Sequence, residues 1–577
     1  MIIKVELKVL KDLKNLGQKL TSNMPLFIIC LLLAWFIITF LIYPNVNLLY
    51  ETFFVDGSIS FTAFERLFAS ERAMRSLRNS FVLAVSLVVT VNILGTFTVL
   101  ATEYFDLKFA KILRLGYSTP LIYSGVVLVS GYHFVYGRSG MITNFLVSIF
   151  PNMDINWFSG YWAVLFVMTF ACTTHHTIFL TNAIKKIDYQ TVEAARSMGA
   201  SNFTILSKVV LPVLKPSFLS ITVLLFLVGL GAVSAPMIIG GQEFQTINPM
   251  IITFARSINT RDLAAALSLI LGLATIIVLA ITKKFEMNTN YMSVSKVKTK
   301  LVKQKIDNRF FNIVMHFLAY LAFVIYILPI MFIIIFSFTD GYSIANATLS
   351  WERFTFDNYI ALFSQAGALS PYIVSLIYAT LSSVIVVVIV LTVARLLHKY
   401  KKKFLILEYC MMIPWLLPST LIAVGLMITY DRPHFLIGNN VLIGSYEMLL
   451  IGYIIISIPF ALRMIRSAFY SIDDSLEEAA KSLGSGTLRT LLKVVFPTIL
   501  PSILAVIALN FNSRLADFDL TVLLYHPLAE PLGITIMNST DSSANINSRA
   551  LMLVYSVVLM VISSLALYFV YGRKKDD

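Results

Sequence analysis

Charge is scarce in this sequence. Asp, Glu, Lys and Arg make up 13% of its 577 residues, against 58% hydrophobic residues and a mean hydropathy of +0.81. Such a chain cannot hide its apolar surface inside one soluble core, so lipid must be part of its solvent. Cysteine is equally sparse. Cys30, Cys172 and Cys410 all lie in apolar runs, where they act as small hydrophobes, which argues against a disulfide framework and a cysteine metal site. Acidic residues are outnumbered, 31 to 45, leaving a net charge of +14. No aromatic-basic pattern accompanies that charge, so its natural counterpart is anionic lipid and not nucleic acid. There is no G-x-x-x-x-G-K-[ST] phosphate loop, no H-E-x-x-H, no G-x-S-x-G and no pair of carboxylates at hydrolase spacing. The chain therefore lacks the parts to hydrolyse ATP or to run hydrolytic chemistry itself.

What it has is apolar runs. A membrane-crossing helix needs about 20 residues. Twelve candidates appear at 25–43, 80–101, 115–136, 161–181, 214–238 and 263–282, then at 314–337, 373–396, 404–430, 446–467, 499–525 and 549–571. The third and ninth are interrupted by Gly or Pro, so a broken or tilted path is expected there. The first has no small-residue cleavage site after it and reads as a retained helix, not a signal peptide. Basic residues stay on the cytoplasmic side. Lys4, Lys8, Lys11, Lys14 and Lys19 place the N-terminus inside, and twelve crossings then put Lys283, Lys284, Lys296 to Lys305, Lys399 to Lys403 and Arg573-Lys574-Lys575 inside as well. Only the first outer loop, with Arg66, Arg72, Arg75 and Arg78, runs against the pattern. The polar, basic stretch 283–313 reads as a linker between a first half, 1–282, and a second half, 314–577.

The halves are related. Glu193-Ala194-Ala195-Arg196-Ser197-Met198-Gly199 recurs as Glu478-Ala479-Ala480-Lys481-Ser482-Leu483-Gly484, 285 positions later (478 − 193). The same offset pairs Lys208 with Lys493, Pro212 with Pro497, Pro216 with Pro501 and Ser217 with Ser502, with no gap. A repeat held in register signals one structural unit present twice. Both blocks fall on the cytoplasmic side, between the fourth and fifth helices of each half. Val192, Ala195 and Met198, or Leu476, Ala480 and Leu483, recur at three- and four-residue steps, which predicts short amphipathic helices ended by Gly199 and Gly484. Ser475-Leu476-Glu477-Glu478 also fits a capping box in which the Glu only closes the helix start, although Gln190 stands where Ser475 does in the first copy.

Glu-Ala-Ala, three residues, Gly, nine residues and then Ile-X-Leu-Pro is the EAA signature of type I ABC importer permeases, and both blocks resemble it, ending in Val209-Val210-Leu211-Pro212 and Val494-Val495-Phe496-Pro497. Two signatures in one twelve-helix chain resemble the fused permeases of the ferric-iron and thiamine uptake group, whose relatives carry phosphonates and polyamines. The resemblance implies an all-α integral membrane fold of two homologous six-helix halves in a bacterial inner membrane, both termini cytoplasmic. It implies that the two blocks are coupling helices seated in two separate cytoplasmic ATPases that use the ATP, the chain itself binding no cofactor. Glu193, Ala194, Ala195, Gly199 and Pro212, with Glu478, Ala479, Ala480, Gly484 and Pro497, are then the coupling residues. It also implies an extracytoplasmic substrate-binding protein, and one copy of this chain per transporter, since both halves are already present. An ion-coupled secondary transporter also has twelve helices in two halves, but has no reason to carry two such blocks.

Intramembrane charge marks function by default, which singles out Arg514, Asp517 and Asp519 in the eleventh segment as pathway candidates. The competing reading places Asp517 and Asp519 near the outer membrane boundary, or pairs them with Arg514 to hold helices together. Glu408 is expected near the cytoplasmic interface in a structural role. The stretch from Leu520 to Pro527 with Pro531-Leu532-Gly533-Ile534, and Gly231 to Pro236 with Gly240-Gly241, look like the corresponding regions of iron-type fused permeases, which favours ferric iron. His175-His176 do not make a metal site: adjacent helical residues point about 100° apart, and no Asp or Glu stands nearby.

Overall fold

The computed structural model describes residues 24–571 except 56, 124, 186, 287–301, 401–403 and 541–543. The N-terminal lysines 4–19, the core of the 283–313 linker, Lys401 to Lys403 and Arg573 to Lys575 lie outside the described residues. With no water in a bilayer core, each segment must satisfy its own backbone polar groups, and the chain is accordingly helical. Its only paired strands, among the described residues, are the two-residue pair Phe54–Val55 and Ser58–Ile59.

Ten helices of the described residues are long and apolar enough to cross a membrane. They coincide with ten of the twelve expected spans. The two interrupted spans are the broken ones. The third runs as Ala110–Leu121 and Val126–Ile149, bent by 113°, and the ninth as Leu405–Met411, Ile413–Leu416 and Ser419–Thr429. The eleventh ends earlier than expected. Its helix, Phe496–Leu515, is followed by a break before the short helix Thr521–Leu524, so Asp517 and Asp519 lie in irregular backbone and only Arg514 is helical.

The repeat extends into backbone detail. The block helices span Tyr189–Ser197 and Asp474–Ser482, and the helices after them Leu211–Leu230 and Phe496–Leu515, each pair related by the same 285 positions. Between them sits a π turn, Leu206–Val210 and Leu491–Val495, in which the N–H of Leu211 bonds to the Leu206 carbonyl and that of Phe496 to Leu491. Pro212 and Pro497, next in sequence, have no N–H to continue the regular ladder, and a widened turn is the usual accommodation. Two apolar grooves of about 390 and 430 Å³ carry the relation to the other spans. Asn45, Leu49, Gly272 and Ile276 line one, and their counterparts Ile330, Ile334, Val557 and Val561 line the other.

The halves are interlocked. One hydrophobic core is built chiefly from the second to fifth spans of the first half with the seventh and twelfth spans; the other joins the eighth to eleventh spans with the first and sixth. The first span packs on Ser419–Thr429 of the second half, and the seventh on Val126–Tyr136 of the first. Buried tyrosines pin both exchanges. Tyr430 donates to the Thr39 carbonyl, Tyr117 to Ala319 at 2.7 Å and Tyr132 to Ile325 at 3.3 Å. Each reaches from one half to the other, and each satisfies a hydroxyl that burial would otherwise strand.

Leu48, on the first span, is fully buried in the core of the second half. Leu48→Ala should destabilise the protein by about 3 kcal/mol, read as a lowered unfolding temperature in detergent with the second half melting in the same transition. A second half that melts unchanged would show that the exchange does not hold it.

Candidate functional site

Both block helices start and stop by the same devices. Asp188 and Asp473 are the N-caps, accepting from Gln190 N at 3.1 Å and Ser475 N at 2.9 Å. The capping-box reading of Ser475 and Glu478 is thereby corrected: the cap lies two residues earlier, so Glu478 does not close the helix start. At the other end Gly199 and Gly484 adopt φ of +82° and +80°. Gly199 N bonds to Arg196 O and Ala200 N to Ala195 O, as Gly484 N does to Lys481 O and Ser485 N to Ala480 O. This is a Schellman cap, which needs a left-handed residue at the glycine. A Cβ built on either glycine meets nothing within 4 Å. Inside this chain the space is empty; what constrains these positions internally is backbone conformation alone.

Glu193, Ala194, Glu478, Ala479, Pro212 and Pro497 are exposed, Ala195 is buried and Ala480 half-buried. Neither glutamate side chain has a hydrogen bond or ion pair among the described residues. The expected apolar faces need correction. Val192 and Ala195 are buried, but Met198 is 81% exposed and Leu483 88% exposed, because both sit at the cap where the helix has ended and the chain turns outward. Leu476 is exposed too. The two helices thus match at an exposed glutamate, Glu193 or Glu478, with small residues beside it, and at an exposed apolar tip, Met198 or Leu483; the second helix adds Leu476.

Their inward faces differ. At the position of Val192 the second copy has Glu477, which takes both guanidinium nitrogens of Arg395. The pair is nearly buried, 15% and 13% exposed. The Arg395 hydrogen bonds hold the Glu477 carboxyl below the usual carboxylate range. The first helix is tied instead through the end of the linker: Arg196 donates to Gln304, Gln304 N to the Tyr104 carbonyl at 2.8 Å, and Asn202 to Asp307 at 2.6 Å. Both block helices are therefore fastened to the second helix of their own half, one directly and one through residues 303–307.

The charged candidates separate into two groups. Arg514 is paired with Asp517 at 2.7 Å, and Asp517 also accepts from Thr521 Oγ1 at 3.1 Å, at the start of the next short helix. Asp519 accepts from Ser234 Oγ at 3.3 Å and has no other partner among the described residues. Glu408 is paired with Arg466 of the tenth span. His176 is fully buried, its Nε2 3.1 Å from Asn92 Oδ1, and His175 Nδ1 meets the Cys172 carbonyl at 2.9 Å. Among the described residues no three His, Cys, Asp or Glu side chains could hold a metal ion.

Sequence reasoning missed Asn510, Asn512 and Ser457, polar residues on the eleventh and tenth spans. Asn510 Nδ2, Asn512 Oδ1, Arg514 Nε and Ser457 Oγ are buried with no partner among the described residues. Their repeat counterparts are Leu225, Leu227, Gly229 and Cys172. A position-by-position comparison of the two copies carries that signal.

The sequence profile of the binding-protein-dependent transport system inner membrane component family matches residues 111–286 and again 387–574. A probable ABC transporter permease protein of Sinorhizobium fredii is 37% identical over 92% of this chain and 94% of its own length. The ferric transport system permease protein FbpB of Actinobacillus pleuropneumoniae is 23% identical over 92% of this chain and 76% of its own. A bacterial ABC transporter involved in the import of alginate superposes on 48% of this chain and 100% of its own with a TM-score of 0.41 and 19% identity.

Arg395→Ala leaves Glu477 nearly buried and unpaired, a loss of about 3 kcal/mol. It should raise hydrogen exchange across Asp474–Ser482 and leave Tyr189–Ser197 protected. Arg395→Leu combined with Glu477→Val, which copies the first half's apolar residue at 192, should restore protection. Equal exchange in both helices after the single substitution would refute the separate fastening.

Proposed function

The chain belongs to the binding-protein-dependent transport system inner membrane component family, and we propose from that premise that it is the whole membrane-spanning part of an importer driven by two separate cytoplasmic ATPases. The observation that carries this reading is the duplicated docking face. Two helices of identical register, each presenting a free glutamate, small residues and one bare apolar tip, are what two copies of one partner require. The glutamates Glu193 and Glu478 would pair with basic groups on the ATPases. Gly199 and Gly484 would let the chain turn away where a side chain would meet the partner. Both halves are present, so one copy serves each transporter. The lysine clusters support a cytoplasmic N-terminus and C-terminus, with an extracytoplasmic binding protein delivering substrate to the opposite face.

ATP-driven closure of the ATPases would draw the block helices together and turn the bundle outward; hydrolysis would reset it, a rigid-body alternation. The ATP stays with the partners. For the solute we favour ferric iron, supported by the relative whose name is a ferric transport permease and by the Leu520 to Ile534 region.

Reconstituted with its ATPases and binding protein, the chain should take up ferric iron in the presence of thiamine, a phosphonate and a polyamine as competitors. Gly199→Trp or Gly484→Trp meets no clash inside the chain and strains the left-handed turn by about 1–2 kcal/mol, as Gly→Ala at the same position does. The Trp variants should abolish uptake and the stimulation of ATP hydrolysis by loaded binding protein, while the Ala variants, equally strained but small, retain most of both. Tight stimulation in both Trp variants would contradict the coupling role.

A further inference from the structure

Ser234 and Asp519 are hydrogen-bonded, and they are 285 residues apart, the offset of the repeat itself. They are one position of the structural unit, seen twice. In an arrangement of two like parts about a twofold axis, a residue touches its own counterpart only where the axis passes between them. The Ser234–Asp519 contact therefore marks the axis relating the halves.

Its depth follows from the helices that lead to it. Leu211–Leu230 and Phe496–Leu515 begin beside the block helices and run 20 residues each, about 30 Å of rise. The contact lies just beyond their far ends, where the backbone breaks at Gly231–Val233 and Ala516–Leu520 before the short helices Ser234–Ile238 and Thr521–Leu524. Irregular backbone at membrane depth persists where it is buried in protein or lines a water-filled cavity. Matched breaks where two repeats meet are a recurring form of substrate site.

Charge at this point comes from one half only. Arg514, Asp517 and Asp519 stand opposite Gly229, Ala232 and Ser234 in the repeat. Arg514 and Asp517 neutralise each other. Asp519 is left hydrogen-bonded to a neutral hydroxyl, so the carboxyl on the axis has no ion-pair partner among the described residues.

We propose that Ser234 and Asp519 are the point at which the passage closes, at its end far from the block helices, and that Asp519 presents there the unpaired carboxyl that a cationic solute meets. The inference rests on the importer reading above and narrows its substrate class. Ferric iron is a hard cation suited to carboxylate oxygen, and amine cations are attracted as well. A phosphonate is repelled. Arg514 and Asp517 then support the break and are not part of the cation's path.

The test is uptake of ferric iron in the full reconstituted complex, with ATP hydrolysis stimulated by loaded binding protein as the second readout. Asp519→Asn keeps shape and removes charge; it should lower uptake at least tenfold. Ser234→Asp with Asp519→Ser moves the charge to its counterpart across the axis and should recover most of the uptake, whether or not the single variant retains stimulated hydrolysis. Uptake by Asp519→Asn within twofold of wild type, or a swap no better than the single variant, overturns the proposal. A wild type that carries thiamine or a polyamine and not iron discards iron alone, and the same two variants then decide the charge question with that solute. A wild type that carries phosphonate overturns both the iron assignment and this inference.

Discussion

The first span of each half lies against the broken third segment of the other half, and the rest of the molecule depends on that exchange. Neither half can bury its apolar faces alone. The core that contains the first block helix also contains the seventh and twelfth spans, and the core beneath the second block helix contains the first and sixth. Packed cores move as bodies because their contacts are close and cannot deform continuously. A displacement of one block helix is thus carried by a six-span unit drawn from both halves. Ser234 meets Asp519 among residues of both cores.

Duplication has preserved backbone more strictly than side chains. Caps, Schellman turns, π turns and prolines agree to the residue across 285 positions. The interior contacts have diverged. Where the first copy has Val192 the second has Glu477 with a charged partner in Arg395, and the first block helix is braced instead by Gln304 at the end of the linker. Leu225, Leu227 and Gly229 face Asn510, Asn512 and Arg514 across the repeat. Two block helices of matched backbone thus sit on two unequal interiors.

Much of this was legible beforehand. The register of the two blocks predicted matched helices, because an offset kept without a gap through prolines and a glycine constrains backbone directly. The interrupted third and ninth runs predicted broken segments through the known effect of Gly and Pro on helices. Other features were not legible. Met198 and Leu483 fit the helical period of an inward face, yet the cap ends the helix just before them and turns both outward. Ser475 fits a capping box, but Asp473 is better placed, and local pattern does not rank two adjacent caps. The end of the eleventh helix at Leu515 is hidden by an apolar run that continues to Tyr525. The tyrosines that pin one half to the other join residues nearly 200 to 400 positions apart, beyond any local rule.

The central claim is that the two block helices move together under the drive of ATP. Spin labels at Met198→Cys and Leu483→Cys, the two bare tips, in a chain whose three native cysteines are replaced by Ala, would report their separation in the complex with its ATPases. The account predicts a shorter label-to-label distance with ATP bound than after hydrolysis, reversible on turnover. A distance that stays the same through the ATP cycle would contradict it.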